Sequence, residues 1–141
     1  MDISGSTTST RRIGRWLFIA LLVVHVLSCY VMGTFSLFNW PFALETGFGI
    51  PYDDSLDILG VVIGLELIFL GSIAVLGIYW TRQGQISGIV TGMAVGMYMF
   101  MFGIVAFLLL GRIDGLIVDS IRGFLTLIFG WMAYQELNGS A

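Results

Sequence analysis

The chain has 141 residues, of which 57% are hydrophobic and 11% are charged, and its mean hydropathy is +0.96. Soluble domains carry about 25% charged residues, so this composition excludes an ordinary soluble core and predicts an integral membrane protein. The net charge of −3 and the single cysteine, Cys29, exclude a basic nucleic-acid-binding face and an internal disulfide.

Four apolar runs predict four transmembrane helices in one membrane domain. The predicted segments are a polar tail over 1–13, TM1 over about 14–35, an aromatic outer loop over 36–57, TM2 over about 58–80, TM3 over about 84–110 and TM4 over about 117–135. Runs of this length cross a hydrocarbon core of about 30 Å. Short links favour antiparallel neighbours. We therefore expect an all-α integral membrane four-helix bundle with antiparallel up-down topology.

The arginines predict how the bundle is oriented, because cytoplasmic segments carry an excess of positive residues. The group on the side of both termini is Arg11, Arg12, Arg15 and Arg82, and the group on the opposite side is Arg112 and Arg122. This bias predicts that the N- and C-termini are cytoplasmic. The absence of lysine in an acidic chain resembles the composition of some prokaryotic proteins. We expect a multi-pass protein of a prokaryotic inner or plasma membrane.

Glycines recur in TM3 at a spacing of four, a glycine-zipper pattern. The glycines of TM3 are Gly84, Gly88, Gly92, Gly96 and, further on, Gly103, and those of TM2 are Gly60, Gly64 and Gly71. This spacing places each set near one helix face, where another backbone can approach closely inside a bilayer. We expect the two glycine faces to pack against each other across the short turn at Arg82.

Three ionisable residues inside the spans are candidates for binding a ligand or a proton: Glu66, His25 and Arg122. An ionisable residue at the middle of a transmembrane helix costs about 3 kcal/mol on insertion scales and is a functional candidate by default. Glu66 points away from Gly64 on the helix, so packing of TM3 on the glycine face turns Glu66 toward TM1 or TM4. The alternative role for Glu66 is a structural bond between helices.

Each of the other two candidates has a structural alternative. His25 lies near the depth of Glu66, which allows a hydrogen bond between them, or it is a packing residue. Arg122 either pairs with Asp119, three residues earlier, or reaches Glu66. The candidates for ion pairs are Arg112, Asp114 and Asp119. Because the chain has one histidine and one cysteine, we expect no metal site, and we expect no cofactor.

Two motifs resemble the DoxX-like group of small four-helix membrane proteins. They are residues 64–67 (GLEL), with Gly71 after them, and residues 111–119 (GRIDGLIVD). The resemblance extends in layout over about residues 14–136. It implies a four-helix bundle and singles out Glu66, Arg112 and Asp119 by position. It implies no particular activity, because the group has no single agreed chemistry.

The function we expect is that of a non-enzymatic accessory, scaffold or assembly subunit. Its glycine faces would pack in the bilayer against a second copy or another membrane protein, and the chain has no phosphate loop or nucleophile elbow that would indicate an enzyme. The alternative is a small proton-coupled transporter, working as a homodimer with Glu66 as its coupling carboxylate. That alternative resembles the small multidrug-resistance exporters, which carry their embedded glutamate in the first helix. A third class, an electron-transfer or quinone-linked subunit, rests on His25 and the aromatic loop.

Overall fold

The computed structural model describes residues 13–111, 113 and 116–139, and the side chains of Phe48, Leu109, Leu110 and Leu116 are outside that description. The α-helices are α1 (Ile13–Phe38), α2 (Trp40–Phe42), α3 (Asp57–Arg82), α4 (Ile86–Leu110) and α5 (Ile121–Asn138). The described residues include no strand. Four helices, all except α2, are long and apolar enough to cross a membrane. The prediction of an all-α chain is confirmed for the described residues, as is that of four helices with the length and apolar composition of membrane spans.

The segment predicted as an aromatic outer loop is largely helical. After α2 the chain forms a π-helical turn over Ala43–Phe48 and a 3-10 turn over Asp54–Leu56. Pro41 is compatible with α2 because it lies in the first turn, where a backbone N–H has no partner within the helix. Gly49 ends the π-helical turn with φ of 64°, a left-handed conformation that glycine adopts without steric cost.

Asp53 caps the 3-10 turn that leads into α3. Its side chain accepts a hydrogen bond of 2.8 Å from the backbone N–H of Ser55. The hydrogen bonds from Ser55 hold the pKa of the Asp53 carboxyl below its usual value, because they favour the charged form. Close by, the Tyr52 hydroxyl donates to Asp57 at 2.9 Å. Hydrogen bonds to the carboxylates of Asp54 and Asp57 raise the pKa of Tyr52, so this hydroxyl remains a donor.

The four long helices form a four-sided bundle in which α1 and α4 each pack against α3 and α5. The end of the bundle with Ile13 and Asn138 is called the tail end, and the end with Phe38 and Asp57 is called the loop end. Large apolar side chains cover the outer surface, for example Phe69, which is 67% exposed. An outer surface of this kind suits a lipid solvent, since lipid tails are as apolar as the side chains they meet.

Glycines bring α1 and α3 into backbone contact. A Cβ on Gly64 would lie 3.0 Å from the carbonyl oxygen of Gly33, Gly60 faces the ring of Trp40, and Gly71 faces Cys29. The glycine face of α3 is therefore covered by α1 and α2. The prediction that this face packs against TM3 is wrong, because a four-residue spacing identifies a helix face but not the helix that covers it.

The glycines of α4 contact three different helices. Gly88 approaches the backbone of Thr81 in α3, Gly92 faces Phe18 in α1, and a Cβ on Gly96 would lie 3.2 Å from the carbonyl oxygen of Gly123 in α5. The four-residue spacing turns successive glycines slightly around the helix axis, since a turn contains 3.6 residues. These glycines of the zipper pattern therefore pack against other helices of the same chain.

Two further TM3 glycines were also predicted to pack in a helix. Gly103 is buried in α4. Gly84 precedes α4, which begins at Ile86, and has φ of 76°. The prediction that Gly84 packs within a helix is wrong, because Gly84 occupies the left-handed position of the turn between α3 and α4.

Glu136 joins α5 to the start of α1 at the tail end. Its carboxylate accepts hydrogen bonds from the backbone N–H groups of Gly14, at 2.7 Å, and Arg15, at 3.0 Å. The first backbone N–H groups of a helix have no partner within it, and the helix dipole favours an anion there. Glu136 of α5 therefore caps α1 and closes the bundle at this end.

Candidate functional site

A cavity of about 200 Å³ lies in the half of the bundle nearer the loop end. Residues of α1, α3, α4 and the π-helical segment Leu116–Ser120, together with Arg122 at the start of α5, form its walls. Gly47 of the turn after α2 also lines it and lies against Met32 of α1. A cavity that is mostly apolar, with a few convergent polar groups, has the general character of a small-molecule site.

One polar group of the cavity is the pair of Glu66 in α3 and Tyr98 in α4. The Tyr98 hydroxyl donates a hydrogen bond to Oε1 of Glu66. The Tyr98 ring is held by stacking on Phe102, with 6.3 Å between ring centroids and 15° between the planes. Glu66 therefore faces α4, and the prediction that it turns toward TM1 or TM4 is wrong. Its direction follows from the glycines of α3, which are turned toward α1.

Glu66 is also exposed on the outer surface of the bundle, whereas Tyr98 is half-buried. The carboxylate thus lines the cavity and is reachable from outside the chain between α3 and α4. A carboxylate at this depth of an apolar helix is costly in lipid, and a compensating partner or a proton reduces that cost.

The second polar group of the cavity contains Arg122. Its guanidinium donates to Oδ1 of Asp119 at 2.7 Å and to the hydroxyl of Ser28 at 2.8 Å. The Arg122 and Asp119 side chains are only 15% and 22% exposed. Of the two interpretations from sequence, the local ion pair with Asp119 is the one observed, and Arg122 shares the cavity with Glu66 without a described bond between them. The other two ion-pair candidates, Arg112 and Asp114, lie outside the described residues.

His25 is fully buried and bonds to α5 instead of α3. Its Nε2 lies 2.9 Å from the hydroxyl oxygen of Thr126. That hydroxyl donates its one hydrogen to the backbone carbonyl of Arg122, at 2.9 Å, so it accepts from Nε2–H of the imidazole. Of the two interpretations of His25 from sequence, the hydrogen bond to Glu66 is not observed, and the buried packing residue is. Among the described residues, no cluster of three or more His, Cys, Asp or Glu side chains could hold a metal.

Tyr98 is the site residue that sequence reasoning did not single out. Its signal was present, because Glu66 precedes and Tyr98 follows the α3–α4 turn by similar numbers of residues, which places them at similar depth. A hydroxyl at the depth of an acid in a neighbouring membrane helix is a natural hydrogen-bond partner for it. Ser28, which accepts from Arg122, gave no comparable signal because serine is common in transmembrane helices.

Comparison with protein-family models gives no match, and comparisons with curated proteins and with solved structures also give none. The resemblance to the DoxX-like group therefore stays a prediction.

Proposed function

We propose that this protein is a small membrane carrier that binds an organic cation in its cavity in exchange for a proton. The observation that supports this function is a carboxylate, Glu66, in the wall of a mostly apolar cavity within the membrane-spanning helices. A carboxylate in such a place is stabilised either by a proton or by a cation, and alternation between the two couples their movements. The protein would work in the cell membrane with both termini in the cytoplasm and with up-down helices.

The charges around Glu66 favour a cation over an anion. Tyr98 from α4 donates a neutral hydrogen bond, and Cys29 from α1 lines the same cavity. The one described cation in the wall, Arg122, is already paired with Asp119. The ionised Glu66 therefore gives the described wall a net charge of −1, which a monovalent cation neutralises.

The accessory or scaffold function stays a second proposal, on a different basis. The glycine faces that suggested it are covered within the chain, as Gly64 is by Gly33 and Gly96 by Gly123. The observation that favours a protein partner is the exposure of Glu66 on the outer surface, where a helix of a second copy or another protein would cover it. The cavity is lined by all four long helices of one chain, so binding in it does not require a dimer.

The test is binding of tritium-labelled phenyltrimethylammonium to the protein in nanodiscs. We expect Glu66→Gln to weaken binding by about tenfold or more, or about 1.4 kcal/mol, because it removes the charge and keeps the size of the side chain. Binding to the unmodified protein should weaken as the pH falls, since the proton and the cation compete for one carboxylate. Binding to Glu66→Gln should not change with pH.

The matched control is Glu45→Gln, which makes the same change at an exposed acid of the π-helical turn. It should bind as the unmodified protein does. In proteoliposomes, a pH gradient should drive uptake of the same cation, and Glu66→Gln should abolish that uptake. Equal binding by Glu66→Gln and the unmodified protein would remove the proposal, and binding without any uptake would remove the carrier part of it.

A further inference from the structure

The four seams between neighbouring helices are not closed in the same way at the level of the cavity. The α1–α3 seam is closed by the backbones of Gly33 and Gly64. The α4–α5 seam is equally tight, since a Cβ on Gly123 would lie 2.5 Å from the backbone nitrogen of Phe100. The α1–α5 seam is closed by the bond from Arg122 to Ser28. Three sides of the cavity are thus held by backbone contact or by a partly buried hydrogen bond.

The fourth seam, between α3 and α4, changes along its length. Toward the tail end the backbones touch, where a Cβ on Gly77 would lie 3.3 Å from the nitrogen of Gly92. At the level of the cavity the two helices are bridged instead by the side chains of Glu66 and Tyr98. At this level Glu66 both lines the cavity and is exposed to the outside of the bundle. The one carboxylate is therefore accessible from both sides of the seam.

We infer that the α3–α4 seam is a lateral entrance from the bilayer, and that the ligand is a single-chain amphiphile with a cationic headgroup. The headgroup enters the cavity at Glu66 and the tail stays between the helices and the lipid. The Tyr98 hydroxyl bonds the carboxylate across the seam and releases it to the headgroup. This inference rests on the proposed function and adds to it the class of substrate and its route.

A lateral entrance makes a specific demand on the length of the tail. A dodecyl chain does not fit inside a cavity of about 200 Å³, so a closed site rejects it. A site that opens to lipid accepts it, because the tail remains in the bilayer. Each added CH₂ then contributes only to partition into the membrane, by about 0.8 kcal/mol.

The experiment uses butyl-, octyl- and dodecyltrimethylammonium to displace tritium-labelled phenyltrimethylammonium from the protein in nanodiscs. Dissociation constants are expressed against the concentration of each compound in the bilayer. We expect the three constants to agree within about threefold, since partition into the membrane has been divided out. A loss of about tenfold or more between octyl and dodecyl would overturn the lateral entrance.

The hydrogen bond across the seam is tested with Tyr98→Phe, which keeps the ring and removes the hydroxyl. We expect the dodecyl compound to associate about three to ten times faster with this variant, because no bond has to break first. Tyr79→Phe, at an exposed tyrosine of α3 near the tail end, is the control. An unchanged rate for Tyr98→Phe would overturn the role of the hydroxyl.

The two proposals fail in different ways in these measurements. Failure of the labelled cation itself to bind, or binding that does not depend on Glu66, overturns the proposed function. Binding that depends on Glu66 but stops at the octyl compound leaves the proposed function in place and overturns the lateral entrance alone.

Discussion

The polar side chains in the membrane-spanning helices form hydrogen bonds mostly with other residues of the same bundle. His25 donates to Thr126, Thr126 donates to the carbonyl of Arg122, and Arg122 donates to Asp119 and Ser28. These bonds link α1, α5 and the π-helical segment in one connected set. Because a buried polar group without a partner costs about 1–3 kcal/mol, each bond stabilises the helix pair that it joins.

Two buried threonines offer a matched test of this energy. Thr126→Val keeps the packing of Cβ and Cγ2 against Gly96 but leaves Nε2 of His25 without its acceptor. We expect it to destabilise the protein by about 1–2 kcal/mol. Thr81→Val makes the same change at a hydroxyl that has no partner among the described residues. The free energy of unfolding of Thr81→Val should lie within about 0.5 kcal/mol of that of the unmodified protein, or above it.

The measured quantity is the free energy of unfolding of both valine variants in mixed micelles, with circular dichroism as the probe of unfolding. A larger loss of stability in Thr81→Val than in Thr126→Val would contradict the assignment of the hydrogen bonds.

The residues of the site show what a sequence can predict in a membrane protein and where it stops. Hydropathy and counting along the spans placed His25, Glu66 and Arg122 at comparable depths, and Glu66 and Arg122 do line one cavity. Depth does not give direction around the bundle, so the partners Thr126 and Tyr98 could not be assigned. Direction depends on which helices are neighbours, and that depends on packing between distant parts of the chain.

At the scale of the helices, glycines decide how closely neighbours approach. α3 meets α1 through Gly64 and meets α4 through Gly77, on two different faces. The sequence predicted Gly64 as a packing site, because glycines at helical spacing leave a groove in a bilayer, but it did not single out Gly77. It could not assign each groove to a helix, since all three possible neighbours are apolar and carry glycines of their own.

Gly88 and Gly92 of α4 lie against different kinds of neighbour, so we expect the same substitution to have different effects at the two positions. In Gly88→Ala the new methyl group would overlap the backbone of Thr81, which moves only if α3 and α4 separate. In Gly92→Ala it would meet the Phe18 ring at 2.5 Å, which can shift by side-chain rotation. We expect Gly88→Ala to cost about 2–3 kcal/mol and Gly92→Ala about 1–2 kcal/mol, by analogy with overpacking in other cores.

Unfolding in mixed micelles measures both alanine variants, and size-exclusion chromatography of the folded fraction reports their oligomeric state. If Gly88→Ala lost an oligomer but kept the stability of the monomer, Gly88 would be assigned to an interface between chains. The result would then support the accessory-subunit proposal.

For the whole molecule, contacts of α5 with two other helices join distant parts of the chain. Gly96 of α4 meets Gly123 of α5, and Gly14 of α1 meets Glu136 of α5. The predicted up-down topology would place the α3–α4 turn beside the start of α1 and the end of α5, and the Asp53 cap at the opposite end of the bundle. The arginine bias of the sequence predicts which of these ends faces the cytoplasm.

Cysteine labelling tests that orientation. Gln83→Cys, in the α3–α4 turn, and Asp54→Cys, before α3, are both at exposed positions, and the native Cys29 is buried. An impermeant maleimide added to intact cells should label Asp54→Cys and should label Gln83→Cys only after the membrane is permeabilised. The reverse pattern would place both termini outside and would contradict the positive-inside prediction.

The cap that Glu136 provides for α1 has a consequence for the order of synthesis. Glu136 lies 121 residues after Arg15, so a ribosome delivers α1 to the membrane long before its capping carboxylate exists. Until then, water or lipid headgroups must satisfy the first N–H groups of α1, which keeps its tail end at the membrane surface. Once α5 has been made and packs beside α1, Glu136 replaces those partners, so the cap of α1 depends on a helix that is synthesised later.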